Sequence, residues 1–403
     1  MTPVKVGIIG CGNIFDAYLN ASKNLPILDI ACCADLRIER AQAKAEQWGL
    51  QTQSIDSLLQ DKSVEIILNL TTPESHIAVA RQVLTSGKHV YTEKPLGLNV
   101  EEGIALLELA SSKSLRVGSA PDTFLGGSHQ KSRQLLDAGK IGDPLACTAF
   151  MMVPGHELWH PDPDFYYLPG GGPMLDMGPY YLTAFINLLG PVSRVTGTGK
   201  AFRKTRMIAT GPRANQNVAV KTPTHLTGVA EFTNGALLTI TMSFDVWKHE
   251  HKPMEIYGTK GSMLIPDPNC FDGEVHWNQQ KEDWEVAKNE FPYADDNYRS
   301  LGLADMAQAI RTGRPHRANG QIGLHVLEIM TGFLESAESG SVSLGEPGSA
   351  GYGSIRAGAR ERANLDLTTE LVDLITAQRN FQANAKGLET SSTLTTTIIN
   401  IRG

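Results

Sequence analysis

VKVGIIGCGNIF, residues 4–15, is the segment that decides the fold of the first part of this chain. An apolar, β-branched run leads into closely spaced glycines, a pattern that predicts a strand, a tight turn and then a helix. Glycine at such a turn lets backbone N–H groups approach a pyrophosphate at the helix N-terminus. The segment therefore predicts a dinucleotide-binding fold. The glycines of the turn are Gly7, Gly10 and Gly12, and the predicted cofactor contacts come from Gly10, Gly12, Asn13 and Ile14.

The residues around this turn support a nicotinamide dinucleotide as the ligand. Phe15 stands where the usual fingerprint has its third glycine or alanine, so the glycines alone are a weak signal. Asp35, however, closes the second predicted strand, at the distance where an acid bonds the ribose 2′-hydroxyl. Asp35 favours NAD because it repels a 2′-phosphate, whereas Arg37 is placed to receive one, so NADP stays possible. The alternative is a glycine turn of another α/β fold with Asp35 as a helix cap.

Length and composition narrow the class of protein. A chain of 403 residues predicts two or three domains, and 41% apolar and 20% charged residues are typical of a soluble globular protein. No apolar run approaches the ~20 residues of a transmembrane helix, and no basic leader precedes the first strand. A net charge of −7 argues against a nucleic-acid partner. Five cysteines with a single adjacent pair suggest neither a disulfide framework nor a metal site, so we expect a cytoplasmic protein.

Changes in the pattern of predicted strands and helices divide the chain into three parts. Residues 1–122 alternate short β-branched runs with helical stretches, which indicates a Rossmann-type α/β domain with a parallel sheet. Residues 123–344 have longer strand candidates, a strong helix at 174–190 and helices at 298–312 and 322–338. This pattern predicts an α+β domain with a largely antiparallel open sheet. Residues 345–403 begin with a linker rich in Gly and Ser and continue as an amphipathic helical tail.

Three further motifs give the first two parts a family resemblance. They are TTPESH at 71–76, GKHVYTEKPLGLN at 87–99 and GGGPMLDMGPYYLTAFINLLG at 170–190. With the glycine turn, they make residues 3–344 resemble the Gfo/Idh/MocA family of NAD(P)-dependent sugar and cyclitol oxidoreductases. The resemblance implies a second domain whose sheet covers the nicotinamide face and mediates homo-oligomerisation, and hydride transfer to or from a secondary alcohol or hemiacetal carbon. The further cofactor-binding residues it implies are Thr71, Thr72, Pro73, His76, Glu93 and Lys94.

The same resemblance implies a catalytic set of Lys94, Asp176 and Tyr180. Lys94 matches the family's active-site lysine, and Asp176 matches the acid of its Asp-x-Gly-x-His motif. Tyr180 stands where the histidine of that motif is expected. Independently of the family, Asp176 and Tyr180 are four residues apart on a predicted helix and so share a face.

Two proton-transfer schemes follow from this set. A free tyrosine, with a pKa near ~10, is a poor base, but an ammonium within about 4–6 Å favours its phenolate. Lys94 supplies that charge in the first scheme, and in the second it is itself the base if desolvation lowers its pKa. The alternative is that Tyr180 packs in the core and its hydroxyl only binds a sugar oxygen. Pro95 biases Lys94 towards an extended backbone at the end of a strand.

An aromatic loop, GHELWHPDPDFYY at 155–167, is the predicted substrate contact. His156, Trp159, His160 and Tyr166 are the residues we expect to line the sugar. A metal site at His156 and His160 is the alternative, but a third ligand is not evident, so no metal is predicted.

The tail carries a second resemblance. Residues 349–403 resemble the C-terminal segment of bacterial flagellar hook and rod proteins, which implies a terminal helix that pairs with an N-terminal helix of the same chain. Here that end of the chain is a dinucleotide strand, so we expect a fused segment with no role in catalysis and no axial assembly. The matching residues are Asn364, Asp366, Glu370, Leu371, Val372, Gln378, Arg379, Gln382, Asn384 and Ala385.

Taken together, these features predict an NAD(P)-dependent oxidoreductase that acts on a sugar, cyclitol or related polyol. We expect a small-molecule substrate, no nucleic-acid or membrane partner, and a homo-oligomer. A non-catalytic sensor that retains the fold is the first alternative, because the motif histidine is absent. A flagellar filament component, acting through the tail, is the second.

Overall fold

The computed structural model describes residues 1–339 and 343–344. The linker and helical tail predicted for residues 345–403 lie outside the described residues. Within the described part, no helix is long and apolar enough to cross a membrane.

The first sheet is parallel, as predicted, and within the described residues it has six strands in the order β3-β2-β1-β4-β5-β6. The strand order reverses between β1 and β4, and in such sheets ligands bind beyond the carboxyl ends of the strands at this switch point. The strands are β1 Val4–Ile9, β2 Leu28–Ala34, β3 Gln51–Thr52, β4 Ile66–Asn69, β5 His89–Thr92 and β6 Val117–Ser119. The helices of this part are α1 Phe15–Ser22, α2 Ile38–Trp48, α3 Ile55–Gln60, α4 His76–Thr85 and α5 Val100–Ser112. Helix α6, Gly127–Asp137, follows in the second part, where its Leu135 is buried in the core of the second sheet.

The second sheet has nine strands within the described residues, in the order β16-β15-β14-β13-β7-β12-β11-β8-β17. Neighbouring strands run antiparallel except β7 and β12, so the predicted largely antiparallel open sheet is confirmed. A short hairpin of two further strands stands apart from it. The sheet strands are β7 Pro144–Met152, β8 Val192–Lys200, β11 His225–Phe232, β12 Leu237–Ser243, β13 Met254–Gly258, β14 Gly261–Ile265, β15 His276–Gln279, β16 Glu285–Val286 and β17 Ser343–Leu344. The hairpin strands are β9 Thr205–Met207 and β10 Asn217–Ala219.

Helices α7 (Pro173–Leu189) and α9 (Gly320–Ser339) contribute to the core of the second sheet. Phe185 of α7 and Phe333 of α9 are fully buried in the same core as the inward-facing residues of β11 and β12. Proline is tolerated at the first position of α7 because the N–H that it lacks would have had no partner in the helix. This packing holds α7, which carries Asp176 and Tyr180, rigidly against the sheet.

Helix α8 (Leu301–Thr312) brings the chain back to the first sheet, since Leu303 and Met306 are buried in the same core as Val6 and Ile8 of β1. The helix begins three residues later than predicted because Ser300 has a φ of 125°. The division into parts at residues 122 and 344 stays a prediction, and this packing adds that residues of α8 belong to the first core.

Candidate active site

The glycine turn leaves a set of backbone donors available at the N-terminus of α1. Gly10 has a φ of 103°, and a Cβ there would lie 2.6 Å from the carbonyl carbon and oxygen of Leu70, so only glycine fits. At Gly12 the space within 4 Å of an added Cβ is open. The N–H groups of Gly12, Asn13 and Ile14 have no hydrogen-bond partner among the described residues. These free donors beside open space fit a pyrophosphate.

Asp35 lies at the end of β2 and is bound to the glycine turn. Its Oδ2 accepts the Cys11 N–H at 2.8 Å, and its Oδ1 accepts the Arg37 N–H at 2.8 Å. No side chain caps α2, so the carboxylate does not serve as the cap of that helix. Arg37 itself is exposed at the rim. The carboxylate is therefore held beside the turn, where the sequence predicts a ribose contact.

The Thr-Pro-x-x-His segment follows β4, and its members take different places. Thr71 donates its hydroxyl to the Asn69 side chain at 2.7 Å, Thr72 is exposed, and Pro73 begins a 3₁₀ turn over Pro73–Ser75. His76 is only 1% exposed, and its Nδ1 and Nε2 lie 2.7 Å and 3.0 Å from the carbonyl oxygens of Pro95 and Thr71. Burial lowers the pKa of His76 below its ordinary value. His76 thus braces the turn that carries Lys94 from behind.

Glu93 is held from two sides at the end of β5. Its Oε1 accepts the hydroxyl of the buried Tyr18 at 2.7 Å, and its Oε2 accepts the backbone N–H of Lys94 at 2.8 Å. Since Tyr18 belongs to α1, this carboxylate links the helix behind the glycine turn to the backbone of Lys94. The sequence did not single out Tyr18, because nothing local marks a buried tyrosine as a partner 75 residues away.

Lys94 and Asp176 form a nearly buried ion pair between the two parts of the fold. Lys94 Nζ donates to Asp176 Oδ1 at 2.8 Å and to the Asp176 carbonyl at 2.6 Å. Burial alone would lower the pKa of Lys94, but the carboxylate of Asp176 raises it above its ordinary value. Burial alone would raise the pKa of Asp176, but the Lys94 ammonium lowers it. The pair therefore favours the charged form of Lys94, which supports the scheme in which the lysine supplies a positive charge to Tyr180.

His156 completes the polar cluster and takes up the second oxygen of Asp176. Its Nε2 lies 3.3 Å from Asp176 Oδ2, and its Nδ1 lies 3.2 Å from Trp159 Nε1. An indole N–H only donates, so Nδ1 accepts and Nε2 carries the proton donated to Asp176. A histidine from the aromatic loop therefore contacts Asp176, while position 180 of the motif is a tyrosine. Sequence reasoning placed His156 among the substrate contacts and did not pair it with Asp176, because loop geometry is not visible in spacing.

Tyr180 is 7% exposed and lies on the same face of α7 as Asp176, as the four-residue spacing predicts. Lys94 Nζ is 5.3 Å from the centroid of the Tyr180 ring. The Cζ of Arg299 is 6.0 Å from the same centroid. Arg299 was not predicted, since it lies in a loop without a motif and reaches the site only through the fold.

The aromatic loop packs against this cluster. The ring of Tyr166 lies 4.2 Å from that of His156, and the Phe244 ring lies 4.5 Å from it on another side. Trp159 is 58% exposed, and His160 packs edge-on to Tyr166. The four predicted substrate residues are therefore packed together in one aromatic cluster beside Asp176. Within residues 1–339, no group of three side chains able to hold a metal ion was found.

A buried arginine fixes the base of this loop. Arg206 pairs with Glu157 at 2.7 Å and also with Asp245, and the Glu157 carboxylate accepts the hydroxyl of Tyr167. The Tyr167 oxygen in turn accepts the His156 N–H at 3.0 Å. Charged groups this deeply buried occur where they are paired, and here the pairs set the position of His156. The sequence signalled neither Arg206 nor Glu157.

Three segments of the chain match known protein families. Residues 4–120 match the family described as oxidoreductase family, NAD-binding Rossmann fold, and residues 129–264 match the GFO/IDH/MocA C-terminal domain. Residues 356–401 match the C-terminal segment of flagellar basal body rod proteins.

Individual relatives fall into the same two classes, oxidoreductases and flagellar proteins. The chain is 30% identical over 198 residues to a dTDP-3,4-didehydro-2,6-dideoxy-alpha-D-glucose 3-reductase of Streptomyces violaceoruber, covering 48% of this chain and 57% of that protein. It is 25% identical over 360 residues to D-glucoside 3-dehydrogenase of Escherichia coli, covering 84% of this chain and 97% of the relative. A flagellar hook protein of Borreliella burgdorferi is 46% identical over 72 residues, which is 18% of this chain and 16% of that protein. Several of the curated relatives are matched over only 57–64% of their own length.

A solved structure supports the fold. An NAD-binding oxidoreductase of Klebsiella pneumoniae superposes with a TM-score of 0.73 at 20% identity, over 85% of this chain and 98% of that one. Through its matched N-terminal and C-terminal domains, the chain belongs to the Gfo/Idh/MocA oxidoreductase family, and it carries a flagellar rod-type C-terminal segment as an apparent fusion.

Proposed function

We propose that this chain is an NAD-dependent oxidoreductase, with NADP possible, that moves a hydride between the cofactor and a C–OH carbon of a sugar, cyclitol or related polyol. The observation that carries the proposal is the Lys94–Asp176 pair with Tyr180 on the same helix face, beside the carboxyl ends of the parallel strands. The sugar-directed names of the family relatives support the substrate class.

The residues of the glycine turn fit the cofactor. The free N–H groups of Gly12, Asn13 and Ile14 would hold the pyrophosphate, and Asp35 would bond the ribose hydroxyls. Bound NAD⁺ supplies the hydride acceptor. The side chains of the protein must then orient the alcohol and accept its proton.

Tyr180 is the proton carrier in this proposal. Since Asp176 keeps Lys94 protonated, the lysine acts as a fixed positive charge near the phenol ring. Such a charge favours negative charge on the Tyr180 oxygen, so the tyrosine accepts the alcohol proton in oxidation and returns it in reduction. His156 occupies the second oxygen of Asp176 and packs against the ring of Tyr166.

The same cluster argues against a non-catalytic sensor. A protein that only binds sugar has no need of an ammonium held between a carboxylate and a phenol. Burying the Lys94–Asp176 ion pair carries a desolvation penalty, so the pair is a poor choice for stability alone. His156 lies 3.3 Å from Asp176, so the acid has a histidine partner although the motif histidine is absent, and this contact supports retention of the reaction.

Comparing Tyr180→Phe with the wild type in both cofactors tests the proposal. Polyols and sugars are screened for NAD⁺ reduction by absorbance of the reduced nicotinamide, and the pH dependence of kcat is measured for each active substrate. We expect a large fall in kcat and an altered pH profile for Tyr180→Phe. A change in KM alone would reduce Tyr180 to a substrate contact, and no turnover of any polyol by the wild type would refute the proposed activity.

We also propose that the chain forms a homo-oligomer through the outer face of the second sheet. Val229 of β11 and Leu237 of β12 point away from the core and are 48% and 54% exposed. Apolar side chains on an open sheet face are typical of a subunit contact. Light scattering of Leu237→Glu tests this, because an interface of this kind would dissociate and an unchanged mass would contradict it.

A further inference from the structure

Arg299 places a second positive charge at Tyr180. The Arg299 Cζ is 6.0 Å from the centroid of the Tyr180 ring, and the Lys94 Nζ is 5.3 Å from it. Among the described residues these are the cations recorded over this ring. Lys94 reaches it from the end of β5, whereas Arg299 reaches it from the loop before α8, on a part of the chain that the catalytic motifs do not include.

The fold holds this loop from both sides. The Asp122 Oδ2 accepts the N–H of Ser300 at 3.1 Å and that of Gly302 at 2.8 Å. The Ser300 hydroxyl donates to the Tyr18 carbonyl at 3.1 Å, and the Arg299 Nη2 donates to the Asn269 side chain at 2.7 Å. The guanidinium is therefore fixed in position and does not need to be ordered when substrate binds.

Arg299 forms no direct ion pair with a carboxylate of the described residues. Its bonded partner, Asn269, is neutral, and no carboxylate of the described residues forms a salt bridge with it. Burial opposes the charge, but Tyr180 and then Glu93 raise the pKa of the guanidinium above its ordinary value. Lys94 differs, because Asp176 already balances it at 2.8 Å. Arg299 is therefore a cation without a directly paired anion, and it is placed to interact with negative charge on the Tyr180 oxygen.

We propose that Arg299 is a positioning residue for proton transfer, which acts by stabilising negative charge on the Tyr180 oxygen. The inference rests on the proposed function. In oxidation the alcohol proton passes to the Tyr180 oxygen, the hydride on the same carbon passes to the nicotinamide, and the C–O bond becomes a carbonyl. In reduction the same proton returns from the phenol to the forming alcohol. Arg299 changes how readily the phenol is deprotonated and itself exchanges no atom.

Neutral and charge-conserving variants of Arg299 test this role. Arg299→Gln and Arg299→Met remove the charge, Arg299→Lys keeps it, and Arg81→Gln removes a charge from an exposed position of α4 as the control. Removing a unit charge at this distance is expected to raise the midpoint of the pH–rate profile by about 1–2 pH units. Arg299→Lys should recover most of that shift, and Arg81→Gln should leave the midpoint where it is.

A spectroscopic titration provides a readout that does not need turnover. The near-UV absorbance of tyrosinate is followed against pH for each protein with and without Tyr180→Phe, and the difference isolates the phenolate of Tyr180. That difference titration should move to higher pH in Arg299→Gln and Arg299→Met and stay in Arg299→Lys. If only one of the two neutral variants, Arg299→Gln or Arg299→Met, folds, that variant is sufficient for the test.

The two readouts separate failure of this inference from failure of the proposed function. If polyols are oxidised but neither the pH–rate midpoint nor the tyrosinate signal moves in the neutral variants, Arg299 has no such role and the enzyme assignment stands. If no polyol is oxidised but the tyrosinate signal moves, Arg299 acts on Tyr180 and the proposed activity is wrong. A fall in kcat with an unmoved midpoint would show a merely structural role and overturn the inference.

Discussion

Replacing Lys94 by alanine is expected to lower kcat by at least about 10²-fold, the lower end of general acid–base effects. The magnitude follows from the position of the ammonium. The Lys94 Nζ lies 5.3 Å from the centroid of the Tyr180 ring, and with this distance as the scale of the separation from the phenolate, two unit charges interact by ~3 kcal/mol at an effective dielectric constant of ~20. That energy corresponds to roughly 10²-fold in rate, since ~1.4 kcal/mol is a factor of ten.

The same change also disturbs the structure, and the assay must separate the two effects. Without Lys94, the carboxylate of Asp176 remains 80% buried with His156 as its side-chain partner. Breaking a buried pair from one side costs about 3–5 kcal/mol of stability. We therefore expect a lower free energy of unfolding for Lys94→Ala, and kcat must be measured where the variant is fully folded, as judged by denaturant titration.

Asp176→Asn is the matched control for this prediction. It keeps Lys94 at the Asp176 backbone carbonyl, 2.6 Å away, but removes the carboxylate that raises the pKa of the lysine. At acidic pH, where Lys94 keeps its proton, we expect kcat of Asp176→Asn to fall less than that of Lys94→Ala, and the difference between the two variants should shrink as pH rises and Lys94 is deprotonated. The reasoning is refuted if folded Lys94→Ala keeps kcat within about threefold of wild type, because the charge would then do nothing for the reaction.

Three further predictions concern the cofactor, the pH dependence and the tail. Asp35→Ala should weaken NAD binding by at least about tenfold, because a hydrogen bond to a charged group contributes about that much affinity. Calorimetry measures both affinities, and tighter binding of NADP than of NAD by the wild type would contradict the predicted preference for NAD. Burial raises the pKa of Asp122 to about 6, so its contribution to stability is present at acidic pH and is lost as pH rises through 6. Asp122→Asn, which does not ionise, should therefore gain up to about 3 kcal/mol relative to wild type in urea titrations between pH 4 and pH 7, and parallel pH curves would argue against this. Deletion of residues 345–403 should leave kcat/KM unchanged, since the family match ends before them and β17 is retained; a loss of stability above about 2 kcal/mol would mean that the tail docks on the enzyme.

Much of the fold could be predicted because its signals are local. A β-branched strand followed by glycines, with an acid at the end of the next strand, specifies a parallel nucleotide-binding sheet by backbone sterics and spacing. The shared helix face of Asp176 and Tyr180 likewise follows from the period of the α-helix. The start of α8 was missed by three residues because Ser300 has a positive φ of 125°, in a loop whose Ser300 N–H is donated to Asp122, a residue distant in sequence.

The sequence by itself determined the strand–glycine–helix turn and the two sheets, and it predicts the set of Lys94, Asp176 and Tyr180. Only the tertiary structure decided the surroundings of the functional side chains. The charged form of Lys94 is favoured because Asp176 lies 2.8 Å away, and His76 braces the turn that carries Lys94 because it is buried behind that turn. The same holds for His156 and Arg299, which reach Asp176 and Tyr180 from loops with no motif. The physical reason is that periodicity and turn chemistry act between near neighbours in the chain, whereas charge state depends on burial and on partners that folding brings from far away.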